Sequence, residues 1–160
     1  MFEIEGRIQK AKKVISVVKD FSGNIDDKNL LDIGCSTGIM TKHYSQYFKE
    51  IDGIDIDDGG VAFAKENNSS KNITYSVSPI EEFKSGKKYD VITCSHIYEH
   101  VPDSKKLFEK IYSLLKPGGI CYFAAGNRYQ IYENHYELYF LSFFPKRISN
   151  IYLKLTKKGD

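Results

Sequence analysis

Apolar residues recur every three or four positions at the start of the chain, at Ile8, Ala11, Val14, Ile15, Val18 and Phe21, with lysines on the opposite face. This spacing predicts an amphipathic helix over 6–21. A polar, turn-rich stretch over 23–29 follows, and then the pattern changes. Residues 30–33 form a short apolar run bounded by turn signals, the mark of a buried parallel strand. Thr41, Tyr44 and Phe48 restore a helical rhythm, and 51–56 reads as a second strand running into acidic residues. A helix over 59–66 fades into an Asn-Asn-Ser-Ser turn, and Ile73, Tyr75 and Val77 alternate as a third strand. Residues 89–95 make a fourth strand. Over 105–115, Leu107, Phe108, Ile111, Leu114 and Leu115 share one face of a helix. Lys-Pro-Gly-Gly at 116–119 is expected to end that helix through a left-handed glycine cap, before a fifth strand at 120–124. Strands alternating with helices predict an α/β domain, a doubly wound, mainly parallel sheet with helices on both faces.

The first turn carries the chemistry. It reads Asp32-Ile33-Gly34-Cys35-Ser36-Thr37-Gly38, and its glycines let the backbone turn tightly and approach a ligand. Asp55 follows Gly34 by 21 positions, at the end of the next strand, where a carboxylate can accept hydrogen bonds from both hydroxyls of a ribose. Strand, glycine turn, helix and acid-ended strand describe a nucleoside-binding crevice. The spacing departs from the dinucleotide fingerprint, because Ile39 stands where its third glycine would be wanted. The loop holds no Lys or Arg for a polyphosphate, as a P-loop would. An oxidoreductase using a nicotinamide dinucleotide is therefore disfavoured.

Composition narrows the class. The chain has 160 residues, 28% of them charged, and a net charge of +2, so it fits one domain and is not marked as a nucleic-acid binder. No apolar run is long enough to span a membrane and no secretory segment is apparent, so a cytoplasmic location is expected. Cys35, Cys94 and Cys121 form no paired motif and read as free thiols. The tail over 129–155 is rich in Tyr and Phe and carries Lys146, Arg147 and Lys154. It is expected to be a helical cover, with peripheral membrane contact through 136–155 as the alternative.

Two literal motif matches point elsewhere. His96-Ile97-Tyr98-Glu99-His100 reads as the inverted zinc-peptidase signature, but it directly follows a strand and meets Pro102. Asp55 to Glu66 brushes the calcium-loop pattern, but glycine replaces an oxygen ligand at the fifth position. No metal is expected.

The turn at 32–38, the run Tyr-Asp-Val-Ile-Thr-Cys-Ser-His-Ile-Tyr-Glu-His-Val-Pro-Asp and the later Leu-Leu-Lys-Pro-Gly-Gly resemble the class I S-adenosylmethionine (SAM)-dependent methyltransferases. The likeness is to the type 11 group with its ubiquinone-biosynthesis O-methyltransferase branch. Ser36 stands where that family most often has its middle glycine. The resemblance implies a Rossmann-like fold, SAM as cofactor and a small-molecule methyl acceptor. Gly34, Ser36 and Gly38 would shape the turn around the methionine end, with Asp32 near its amino group, Cys35 supplying a backbone N–H and Ser95 lining the floor. Asp55 would hold the ribose, Ile56 would pack on adenine, and Ser78 would meet adenine through its backbone or hydroxyl. For a hydroxyl acceptor, His100 or His96 would serve as base. Asn127, His135 and Tyr136 are candidate acceptor-side residues. The expected division is a SAM-binding domain at 1–127 and an aromatic, basic segment at 128–160, without the family's usual C-terminal antiparallel hairpin. An open edge on the fifth strand would then favour a homodimer. A domain that binds SAM or a nucleoside without turnover is the alternative.

Overall fold

The computed structural model describes residues 2–95, 97–98, 101, 103–126, 131–133 and 136–158. The chain divides into two compact units, Met1–Ala125 and Gly126–Asp160. The first runs α1 (Phe2–Ser22), β1 (Asn29–Ile33), α2 (Ile39–Tyr44), β2 (Glu50–Asp55), α3 (Asp58–Asn67), β3 (Ile73–Val77), β4 (Tyr89–Ser95), α4 (Ser104–Leu114) and β5 (Leu115–Ala124). Its five strands pair in the order β3-β2-β1-β4-β5, all parallel. The order reverses between β1 and β4, so their carboxyl ends open a crevice at the point where such sheets bind ligands.

Alternation along β1 divides the core. Leu30 and Val91 pack with Ala11, Val14, Ile15 and Val18 of α1 and with Tyr44 and Phe48. Leu31 and Ile92 point the other way and meet Leu107, Ile111 and Leu114 of α4 together with Ile80. With both faces of the sheet covered, the strands are near-continuous apolar runs. Gly53 leaves room for the Tyr75 ring, whose hydroxyl donates to the Asn68 carbonyl at 3.0 Å and so anchors the end of α3 to the sheet. Across the other face, the Tyr89 hydroxyl of β4 donates to Asp52 Oδ2 of β2 at 2.5 Å, bridging over β1. Lys87 Nζ lies 3.1 Å from the same Asp52 oxygen and 3.1 Å from Glu50 Oε2.

Two boundaries differ from the sequence expectation. The first helix starts at Phe2 rather than residue 6. Lys116 to Gly119 do not cap α4. Leu115 leaves the helix in extended conformation and pairs with Tyr89, and the next partner pair is Val91 with Ile120. The Pro-Gly-Gly stretch is therefore a bulge inside β5, where Gly118 takes its positive φ of 76°. The closing of α4 is done by the sheet, not by the glycine.

The second unit corrects the expectation of an all-helical tail. It holds a short antiparallel pair, β6 (Tyr132–Glu133) with β7 (Leu138–Tyr139), then a 3-10 turn at Leu141–Phe143 and helix α5 (Lys146–Leu155). The Tyr132 and Tyr139 rings face each other at 4.9 Å, a cross-strand aromatic contact that favours pairing. Glu137 at φ 51° and Phe140 at φ 60° turn the chain on either side of β7. In α5 no residue is buried.

Candidate functional site

The turn after β1 is built from three left-handed residues, Gly34, Ser36 and Gly38, at φ 79°, 49° and 77°. A Cβ on Gly38 would stand 2.6 Å from the Tyr75 hydroxyl and 2.8 Å from Ala64 Cβ, so space and conformation both demand glycine. Ser36 holds its conformation at a cost of about 1 kcal/mol, and its N–H donates to Asp55 Oδ2 at 2.7 Å. The Gly34 and Cys35 N–H groups both donate to the Ile54 carbonyl, at 2.8 and 3.1 Å. Cys35 thus has no N–H to offer a ligand, contrary to its expected role. The turn is so tight that its first amides fold back onto β2. Burial pushes the Cys35 thiol far above its ordinary range, which leaves it no part as a nucleophile.

Asp55 ends β2 as a bridge. Its Oδ2 takes the Ser36 N–H and its Oδ1 takes the Asp57 N–H at 3.0 Å. Each carboxylate oxygen keeps a second lone pair for a ligand hydroxyl. Asp57 accepts from the Gly59 N–H at 3.1 Å and caps α3, so this run is a helix start rather than a calcium loop. The Ser78 N–H donates to the Asp55 carbonyl at 2.9 Å, and its hydroxyl donates to the Pro79 carbonyl. Ile56 is 72% exposed. Gly34, Asp55, Ile56 and Ser78 line one cavity of about 580 Å³ with Ile80, Ile97 and Val101. Glu81, Glu82 and Asp103 stand on its wall with one cation among the described residues, Lys106.

A second cavity, of about 620 Å³, lies on the other side of the turn and is lined by Asp32, Gly34, Cys35, Ser95 and Tyr122, with Arg7, Lys10 and Lys13 of α1. Ile33 and Gly34 belong to both walls. Ile97 packs on Gly34, where a Cβ would collide with its side chain. Asp32 is 7% exposed, and its oxygens accept from Thr41 Oγ1 at 2.6 Å and Thr93 Oγ1 at 2.7 Å. Burial pulls its carboxyl above the usual carboxylate range against those two hydrogen bonds.

The structure thus gathers Gly34, Asp55, Ile56 and Ser78 in one cavity and Asp32, Gly34, Cys35 and Ser95 in the other. Ser36 and Gly38 line neither and act by shaping the turn. His96, Glu99, His100, Asn127 and His135 lie outside the described residues. Tyr136, in the second unit, is 42% exposed. Sequence reasoning missed the partners of Asp32, Thr41 and Thr93, and the apolar wall of Ile80, Ile97 and Val101. It also read the α1 lysines only as the face opposite the apolar stripe and did not single out Arg7. The i, i+3, i+6 spacing of Arg7, Lys10 and Lys13 was the available signal.

Fold and crevice together define a Rossmann-like α/β domain with its ligand-binding turn at the switch point. The chain belongs to the methyltransferase domain family, whose sequence pattern matches residues 6–152. It is 30% identical over 115 residues to the ubiquinone biosynthesis O-methyltransferase of Bordetella avium, covering 69% of this chain and 48% of that protein. It is 36% identical over 113 residues to the enzyme of that name from Saccharophagus degradans, covering 68% and 48%. The chain therefore spans about half the length of these curated relatives. The crystal structure of an S-adenosylmethionine-dependent methyltransferase from Clostridium acetobutylicum superposes with a TM-score of 0.67 at 23% identity, over 76% of this chain and 51% of that one, which establishes the shared fold.

Proposed function

We propose that this domain binds S-adenosylmethionine across the Gly34 turn and transfers its methyl group to a small-molecule acceptor. The observation that carries the reading is Asp55. It ends β2, the strand beside β1, is tied to the turn through Ser36, and lines an apolar cavity with free acceptor capacity. The residues fit the cofactor: cavities flank the Gly34 turn on both sides, and the Asp55 carboxylate on one of them keeps acceptor capacity beyond its two loop amides. When bound, the cofactor supplies an already electrophilic sulfonium methyl. The chain's work is then binding, orientation and exclusion of water. Asp55 holds the ribose hydroxyls, Ile56 covers the base and Ser78 flanks it, while Asp32 and Ser95 face the amino-acid end. For a hydroxyl acceptor, an imidazole nitrogen of His100 or His96 takes the proton. Loss of the acidic limb of the pH–rate profile in His100→Gln or His96→Gln would identify which one.

Calorimetric titration of SAM and its demethylated product tests the reading. Asp55→Ala removes two acceptor sites from the ribose at about 1.5–3 kcal/mol in total, a Kd weaker by about 10- to 150-fold. Asp55→Asn keeps the side chain's size and one acceptor, enough for either the Ser36 or the Asp57 N–H but not both, and its melting temperature beside that of Asp55→Ala separates ribose loss from loop collapse. Absence of binding to the folded wild-type chain would refute the proposal. Because the chain spans half its curated relatives, binding without turnover is the second reading, and an acceptor screen on the loaded chain decides between them.

The proposal extends to surroundings. Ile148, Ile151 and Leu155 of α5 are exposed, and the helix carries Lys146, Arg147 and Lys154 without an acidic residue, which supports contact with an anionic bilayer. Co-sedimentation with phosphatidylglycerol vesicles but not phosphatidylcholine vesicles is expected. β5 ends the strand order of its sheet, which supports edge pairing in a homodimer; a strictly monomeric species in light scattering at high concentration would count against it. A cytoplasmic setting is supported by the free thiols of Cys35, Cys94 and Cys121. No helix among the described residues is long and apolar enough to cross a membrane.

A further inference from the structure

We propose that the Ile97 side chain is a steric gate over the Gly34 turn. It closes the passage between the two cavities, yields to a ligand that spans them, and covers the link it has let through. This deepens the methyltransferase reading and rests on it. Among their described lining residues, the two cavities share only Ile33 and Gly34. Ile33 is buried in β1 at 4% exposure, so a molecule reaching from one cavity into the other crosses at Gly34. Glycine offers a bare Cα there, but Ile97 rests on it. A Cβ built on Gly34 would stand 2.9 Å from Ile97 Cγ1 and nearer still to Cδ1. Ile97 lines the first cavity and not the second, which places its side chain at the boundary.

One partner in this contact is fixed and the other is free to move. The Gly34 and Cys35 N–H groups donate to the Ile54 carbonyl at 2.8 and 3.1 Å, and the Gly38 N–H to the Cys35 carbonyl at 2.9 Å. The Ser36 N–H is held by Asp55 at 2.7 Å. Moving the turn breaks these bonds. Ile97 lies two residues past Ser95, the last paired residue of β4, and among the described residues it has no hydrogen bond. Its side chain packs on the apolar cluster containing Ile33, Ile54 and Ile80 through non-directional contact alone. Rotation about χ2 carries Cδ1 from one staggered well to another and leaves no polar group unpaired. The side chain gives way, and the turn does not. Once the linking atoms of a ligand lie on Gly34, the same branched side chain closes over them and keeps water off. A gate of this kind slows entry and exit together.

The test follows the Ile97 δ1 methyl by NMR in a chain with labelled isoleucine methyl groups, its resonance assigned by its loss in Ile97→Val. A cross-relaxation peak from this methyl to the Gly34 α protons is expected in the free chain. It should survive saturation with adenosine, which is short enough for the first cavity alone. S-adenosylhomocysteine, which spans both cavities, should abolish that peak and replace it with one to the 5′ protons of the ligand. Line-shape analysis of the same titrations gives the rates. Ile97→Val removes only Cδ1, and association and dissociation of S-adenosylhomocysteine should each rise about fivefold, with adenosine rates within about twofold of wild type. A methyl–Gly34 peak that persists in the S-adenosylhomocysteine complex overturns the inference, as does an acceleration equal for the two ligands, or none. If S-adenosylhomocysteine binds neither wild type nor variant, the methyltransferase reading itself falls; binding to the variant alone supports the gate.

Discussion

Asp32→Asn should make the protein more stable at neutral pH while weakening its hold on the cofactor. The Asp32 carboxylate accepts two charge-assisted hydrogen bonds, at 2.6 and 2.7 Å, together worth about 3–6 kcal/mol. Against them stands the cost of removing an ion from water, several kcal/mol for a group this buried. The direction of its pKa decides which wins: the carboxyl is held above 3.8, with burial the leading cause and the Asp55 charge adding to it. Asparagine keeps the shape and removes the charge. Its amide can donate to Thr93, whose hydroxyl can turn toward the Leu31 carbonyl at 3.4 Å. We expect a gain of about 1 kcal/mol in guanidinium unfolding at pH 7.5, or about 2–4 °C in Tm. The pH dependence gives the sign. Between the unfolded and the raised folded pKa the native state binds more protons, so acidification through that window stabilises the wild type. The advantage of the asparagine variant therefore shrinks as pH falls through the folded pKa of Asp32 and is gone below its unfolded pKa. A variant less stable than wild type at pH 7.5, or a gap constant across pH, would refute the reasoning. SAM binding at least tenfold weaker in the same variant would show that the charge is kept for the ligand rather than for the fold.

Other outcomes follow from the same geometry. Ser36→Gly relieves a left-handed serine and should raise stability by about 0.5–1 kcal/mol, read as a higher denaturant midpoint at unchanged slope. Thr93→Val leaves Asp32 Oδ1 without its donor and should cost about 1.5–3 kcal/mol at pH 7.5, less in acid once protonation relieves the carboxylate. Asp90 is drawn up by burial, but the Asn29 N–H and the Lys116 ammonium 2.7 Å away outweigh this and hold it below its ordinary value. That stability is present above pH 4 and is lost as pH falls through the folded pKa. Lys116→Met should cost about 0.5–1 kcal/mol at pH 7, and its difference from wild type should close on acid titration followed by circular dichroism.

The sheet was legible because each strand is short, apolar and separated from the next by a helical rhythm or a turn. Asp55 was legible because a fixed chain distance separates it from Gly34 in a strand-turn-helix-strand unit. The bulge in β5 was not. Pro-Gly-Gly after an amphipathic helix has the same local signature whether it caps the helix or loops out of a strand, and the pairing of Leu115 with Tyr89 decides. The Asp32 network escaped because Thr41 and Thr93 are 9 and 61 positions away and converge only once β1, β4 and α2 are packed. The basic side of the second cavity was hidden for a related reason. Periodicity tells which residues leave the core, and it is silent on whether the surface they join is convex or hollow.

The Tyr89–Asp52 bond gives the site its timescale. It joins the two neighbours of β1 across that strand, so β1 cannot detach from one without disturbing the other. Amide hydrogens at 30–33 should exchange with solvent only through the largest openings of the unit, at rates approaching those of global unfolding. Ser36 follows that strand by three residues. The turn that faces the ligand is thus moored to the slowest-exchanging part of the chain, and fluctuations in the outer loops reach it only after crossing a strand that scarcely moves.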